Sequence, residues 1–248
     1  MELGVNGISL HWDTSGDGEP LLWLHGAMGR GDDWRYLFDD APQGFRILAP
    51  DLRGHGASTN PTGRFTFRQA ALDVLALLRH LGIERTKAIG LSGGGITLLH
   101  LATLEPGIVE SMILVSAPPY FPEQARQFQR QFSEATVGPA DMERMRARHP
   151  QGEPQIRQLF AMARQFAESY DDVNFTPPYL STITAETLLV FGDRDPLYPV
   201  SLAMELRLAI PRSYLWVVPN GGHGPVFGAA APQFVTTAMT FLRGEWRG

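Results

Sequence analysis

Two rhythms of apolar and polar positions alternate along the chain. Short apolar runs fall at 21–24, 45–49, 87–91, 112–115, 187–191 and 214–218, most of them beside Gly or Pro. Their length and β-branched content predict buried strands. Helical spacing fills the gaps. Ala71, Val74, Leu75 and Leu78 form one apolar stripe within 67–81, and 95–104 is apolar almost throughout, as expected of a helix packed under a sheet. Two more helices are predicted over 200–209 and 233–242, and an early antiparallel strand over 5–12. Such alternation predicts an α/β fold: a mostly parallel sheet with helices on both faces.

The alternation stops between Pro118 and Ile183. This stretch is rich in Gln, Arg and Glu, is punctuated by prolines, and shows helical patterns at 123–135, 140–148 and 155–170. It is too long for a plain loop in a compact domain. The chain therefore reads as a core domain built from 1–117 and 184–248, with a small helical cap inserted at 118–183.

Composition narrows the function classes. Apolar residues make up 44% of the 248, enough for one sizeable core. The net charge of −5 comes from scattered side chains, with no basic stripe of the kind nucleic acid requires. Cysteine is absent, so thiol chemistry, disulfides and Cys-ligated metals are excluded. The N-terminus lacks a basic stretch and a signal-length apolar run. No segment reaches the roughly 18 apolar residues of a membrane span. The expectation is a cytoplasmic protein with a small-molecule substrate and neither metal nor cofactor. No sequence pattern specifies an oligomeric state.

The chemistry concentrates in turns. The predicted strand 87–91 runs into Ser92, and an apolar helix follows at once in Gly90-Leu91-Ser92-Gly93-Gly94. Glycine tolerates the sharp turn this demands, and the turn lifts the serine hydroxyl above the sheet. It also sets the Gly93 N–H at a helix N-terminus, where it can donate to an oxyanion. A serine nucleophile needs a base. Of the seven histidines, His223 lies in a Gly-rich loop just after the last strand, on the same sheet edge as Ser92. His80 and His100 fall in helices, His149 in the cap and His11 near the N-terminal strand. The base needs an orienting carboxylate, and Asp193 and Asp195 compete in the loop after 187–191. The loop His25-Gly26-Ala27-Met28-Gly29 offers the Ala27 N–H as a second oxyanion donor, with His25 shaping the loop.

Together these residues resemble the α/β-hydrolase family over nearly the whole chain. The family's sheet has about eight strands and carries its cap at this point. His25 to Gly29 is similar to its oxyanion loop, which supports Ala27, and Pro50 to Ser58 to its P-D-x-R-G-x-G-x-S turn. That turn is structural in the family, which implies that Asp51 and His55 are not catalytic. The family's D-x-x-x-P spacing fits Asp195 to Pro199 and not Asp193, and so assigns the acid role to Asp195. The resemblance implies a Ser92–Asp195–His223 triad with an Ala27/Gly93 oxyanion hole. Serine at the elbow, where haloalkane dehalogenases and epoxide hydrolases carry Asp, leaves a resemblance to the carboxylesterases, lactonases, C–C bond hydrolases and cofactor-free perhydrolases. Gly93, where many relatives have a side chain, leaves more room beside the nucleophile. The leading expectation is hydrolysis of small to medium apolar acyl or aryl esters, with a C–C hydrolase, a lactonase or a low-turnover binding protein as alternatives. Met28, Trp34, Tyr120, Phe121, Leu197 and Val226 are the expected pocket walls.

Overall fold

The computed structural model describes residues 1–246. Eight strands form one sheet in the order β1-β2-β4-β3-β5-β6-β7-β8. They are β1 (Glu2–Val5), β2 (Ile8–Ser15), β3 (Glu19–Leu24), β4 (Phe45–Pro50), β5 (Thr86–Leu91), β6 (Val109–Val115), β7 (Glu186–Gly192) and β8 (Ser213–Val218). β1 and β2 are antiparallel to their neighbours, and β3 to β8 run parallel. The single early strand expected over 5–12 is instead split into a hairpin. Asn6 (φ 46°) and Gly7 (φ 77°) make its two-residue turn, the left-handed pair that a tight hairpin requires.

The helices are α1 (Phe67–His80), α2 (Gly93–Leu104), α3 (Glu123–Gln131), α4 (Pro139–Arg148), α5 (Glu153–Gln165), α6 (Pro177–Leu180), α7 (Val200–Ala209) and α8 (Ala231–Leu242). The central strands read as continuous apolar runs because both faces are covered. Leu22, Leu24, Ala88 and Met112 pack with residues of α1, α2 and α7, while Leu21, Trp23, Ile89 and Ile113 pack with α8. No helix among the described residues is long and apolar enough to cross a membrane.

The chain leaves β3 for β4 on one side, then returns across β3 to β5 on the other. Loops after β3 and β5 therefore part at a topological switch point, where open α/β sheets bind ligands. The helices α3 to α6 are inserted between β6 and β7 above this edge. Asp172 of the insertion accepts hydrogen bonds from Phe67 N (2.7 Å) and Arg68 N (3.2 Å) at the start of α1, supplementing the Thr66 cap on Gln69 N (3.0 Å). Buried Arg126 of α3 donates to the carbonyls of Phe121, Ala167 and Ser169 and lies 3.8 Å from the Tyr170 ring centroid. It thereby ties α3 to the turn that follows α5.

Candidate active site

β5 ends at Leu91 and α2 begins at Gly93, so Ser92 alone makes the turn. Its φ of 50° and ψ of −113° lie outside the regions that side-chain-bearing residues favour, a strain of order 1–3 kcal/mol. Surrounding contacts hold it there. Ser92 N donates to Val115 O (2.8 Å), and Ser92 O accepts from Ile96 N (2.9 Å). A Cβ on Gly94 would meet the carbonyls of Leu24 and His25, so only glycine lets α2 start this close to the end of β3.

Gly93 has a different reason. A Cβ there would lie 3.1 Å from Phe67 Cε1 and 3.5 Å from Ala27 N. The room expected beside Ser92 is therefore filled by the Phe67 ring. As the first residue of α2, Gly93 has an amide with no acceptor inside the helix, at the positive end of its dipole.

The loop after β3 aims a second amide. Gly26 O accepts from Gly29 N (3.1 Å) and from His25 Nδ1 (2.7 Å). A trans peptide is planar with its N–H opposite its carbonyl. Pinning Gly26 O therefore turns the Ala27 N–H the other way, and Ala27 and Gly93 line the same cavity. His25 Nε2 accepts from Leu52 N (3.0 Å). Both imidazole nitrogens of His25 are thus occupied in shaping the loop.

The loops after β7 and β8 bring the acid and the histidine together. Asp193 is exposed, whereas the Asp195 side chain is buried and its Oδ2 accepts from His223 Nδ1 at 2.9 Å. Its other oxygen accepts from Leu197 N (2.8 Å) and Tyr198 N (3.1 Å). Burial pushes the Asp195 pKa up, but the His223 hydrogen bond and charge and the two amides outweigh it and hold the group below its ordinary value. With Nδ1–H held by the carboxylate, His223 Nε2 is left free to accept a proton. Among the seven histidines only His223 lines the cavity. His80 is exposed, His100 bonds Asp172 O (2.7 Å) and His11 bonds Asp51 (3.1 Å).

Asp51 is used up in its own turn, accepting from Gly31 N (2.7 Å) and Ala57 N (2.8 Å). His55 is buried and bonds Arg53 O (3.1 Å). Burial, with His25 and His149 nearby, drives its pKa well down. Neither residue lines the cavity.

The cavity of about 660 Å³ contains Ser92 and His223 in its wall, with Met28, Phe121 and Leu197 among the residues expected there. Three expected wall residues lie elsewhere. Trp34 is 1% exposed, stacks on Phe234 (6.2 Å) and donates to Leu24 O (3.1 Å) beneath the sheet edge. Val226 is fully buried in that same core. Tyr120 points outward and donates to Glu205 (2.9 Å). Their places are taken by Phe67, Phe166 and Tyr198. Phe67 and Phe166 pack with ring centroids 4.8 Å apart. Tyr198 is 3% exposed and packs edge-on to the His223 ring (5.2 Å). Burial, then the Asp195 carboxylate, push its pKa up against the opposing effect of the Ser92 side chain, so the phenol stays protonated. The only sign of Tyr198 in the sequence is that it lies inside the Asp195–Pro199 spacing. At the outer end, Arg148 of α4 pairs with Asp33 (3.1 Å), joining the insertion to the core. Among the described residues, no group of three or more His, Asp or Glu side chains is placed to hold a metal ion.

A family model described as "alpha/beta hydrolase fold" matches residues 19–138. Over 246 residues the chain is 29% identical to serine hydrolase BPHL of Mus musculus, covering 90% of this chain and 79% of that one. A thermophilic esterase from Thermogutta terrifontis superposes with a TM-score of 0.76 at 25% identity, over 98% of this chain and 96% of the other. An enzyme that degrades N-acyl homoserine lactone gives 0.75 at 25% identity, over 98% and 99%. The eight-stranded sheet, its inserted helices and these likenesses agree: the chain has the α/β-hydrolase fold.

Proposed function

We propose that this protein is a serine hydrolase that cleaves carboxylic esters of small to medium apolar acyl or aryl groups through an acyl-enzyme. One observation carries the reading: Ser92, strained at the N-terminus of α2, and the His223–Asp195 pair converge on one cavity whose wall carries six phenylalanines. The residues 118–183 act as its cap. The likeness to an esterase supports ester chemistry.

Ser92 Oγ attacks the ester carbonyl as His223 Nε2 takes its proton. Asp195 holds the Nδ1–H tautomer and stabilises the imidazolium. The Ala27 and Gly93 N–H groups receive the negative charge on the carbonyl oxygen. His223 passes the proton to the departing alkoxide, the C–O bond breaks, and an acyl-Ser92 ester remains. His223 then deprotonates a water that attacks this ester, releasing the carboxylic acid and restoring the serine.

Turnover of p-nitrophenyl esters of graded acyl length, with a lactone and a vinylogous diketone in the same panel, tests the reading beside Ser92→Ala. The expected result is preference for a short or aryl ester, and a loss of about 10⁴ to 10⁶ in kcat for Ser92→Ala. Wild-type ester turnover by Ser92→Ala overturns the nucleophile assignment. Faster cleavage of the diketone or lactone than of every ester overturns the substrate class.

A further inference from the structure

His149 follows α4 in the inserted segment and is fully buried. It lies 121 residues from Met28 in sequence, yet its Nε2 is 3.2 Å from Met28 O. Its Nδ1 accepts from Gly56 N at 3.0 Å. An imidazole that accepts at Nδ1 from an amide must carry its proton on Nε2, so Nε2–H donates to the Met28 carbonyl. Burial, the largest influence, holds the His149 pKa down to about 4, so this neutral form persists across the working range.

The Met28 carbonyl and the Gly29 N–H belong to one planar peptide, and that N–H donates to Gly26 O (3.1 Å). The Gly26 carbonyl and the Ala27 N–H belong to the next planar peptide in the series. A single hydrogen-bonded relay therefore runs from His149 Nε2–H through Met28 O and Gly29 N–H to Gly26 O, and ends on Ala27 N–H at the cavity. Each bond polarises the next and fixes the plane of the next peptide. Met28 has a φ of 63°, a left-handed conformation that its side chain does not favour. The loop therefore needs an external hold, and His149 supplies it.

The same stretch of the insertion grips the Pro50–Ser58 turn. Gln155 donates to Gly54 O (3.0 Å) and Gly56 O (2.8 Å), and Gln151 to Ser58 O (3.0 Å). These bonds seat the insertion without touching the Met28 loop. Among the described residues of the insertion, His149 is the one whose hydrogen bonds reach both, its Nδ1 on the turn and its Nε2 on the loop.

We propose that His149 is a positioning residue for the oxyanion hole, through which docking of the inserted helices sets the direction of the Ala27 N–H. This rests on the proposed acyl-enzyme chemistry at Ser92.

Two isosteres separate the two halves of the imidazole. His149→Gln places an amide N–H near Nε2 and can still donate to Met28 O. His149→Asn places a carbonyl oxygen near Nδ1 and can accept only from Gly56 N. The expected result on the best p-nitrophenyl ester is a fall in kcat of about 10- to 100-fold for Asn, part of what deleting an oxyanion donor costs. KM should stay within about threefold. The Gln variant should recover kcat to within about threefold of wild type. Circular dichroism and thermal unfolding on each variant establish that it is folded. An Asn variant that is folded and turns over like wild type overturns the proposal. So does a Gln variant that falls as far as Asn, or a loss expressed in KM alone. Ser92→Ala run alongside separates the two levels. If it retains turnover, the acyl-enzyme reading itself fails. If it is inactive while folded His149→Asn matches wild type, only the relay fails.

Discussion

Replacing Asp195 by Asn is a test whose sign the hydrogen bonds dictate. In the native site one carboxylate oxygen accepts two amides, Leu197 N at 2.8 Å and Tyr198 N at 3.1 Å, while the other accepts His223 Nδ1–H at 2.9 Å. Asparagine has one oxygen and one NH₂. The two fixed backbone donors claim the oxygen, because turning the NH₂ toward them would leave two N–H groups facing a donor. The NH₂ therefore faces His223 and forces Nδ1 to accept. The imidazole proton moves to Nε2, which can then no longer receive the Ser92 proton. The variant is near-isosteric and keeps both loop amides, so the fold survives with an inverted tautomer. Catalysis should fall about 10⁴-fold in kcat, or about 5 kcal/mol of transition-state stabilisation. The assay is kcat on the best ester between pH 6 and 9, with the thermal midpoint as control. A folded Asp195→Asn enzyme within tenfold of wild type refutes the assignment of Asp195 as the residue that orients His223.

Three further outcomes follow from the same geometry. His149 is held near pKa 4 in the fold against an ordinary 6.5, so the unfolded chain binds the proton more tightly. Its contribution is fully present above pH 6.5 and is lost as pH falls toward 4. This amounts to about 2 kcal/mol between pH 7.5 and 5. Urea midpoints at the two pH values should show this slope reduced in His149→Gln, and equal slopes in both proteins contradict it. Gly93→Ala brings a Cβ against Phe67 at 3.1 Å, an overpacking of about 1 to 3 kcal/mol. Adding Phe67→Leu should restore part of the stability lost in urea unfolding, and strict additivity of the two changes counts against the contact. Asp73→Ala strands the buried Arg53 guanidinium, which it now binds at 2.7 and 2.9 Å. Denaturant titration should show a loss of about 3 to 5 kcal/mol, and a loss below 1 kcal/mol contradicts it.

The strands were legible because a parallel sheet buried on both faces writes itself as uninterrupted apolar runs. The place of the candidate site was legible because a strained elbow needs glycine and because loops after parallel strands gather on one edge. Where the residues alone left Asp193 and Asp195 open, the D-x-x-x-P spacing favoured Asp195, and the buried contact to His223 lies there too. The hairpin over 2–15 was read as a single strand because its turn is only two residues long, although Asn6-Gly7 is the pair that such a turn selects. Side-chain type could not tell a cavity wall from core, so Trp34 and Val226 were placed in the pocket although they pack beneath the sheet edge. Phe67 was hidden in the α1 pattern. Its role beside Gly93 depends on how α1 and α2 dock, and no local periodicity carries that. His149 was unreadable for a related reason: its two partners lie 93 and 121 residues away.

A covalent acyl-enzyme on Ser92 is tested most directly by mass spectrometry after reaction with a fluorophosphonate. Intact mass should show one phosphonyl group per chain and complete loss of ester turnover. Peptide mapping should place the adduct on Ser92, and Ser92→Ala should acquire none. Full ester turnover with no adduct, or an adduct on any other residue with Ser92 unmodified, contradicts the account.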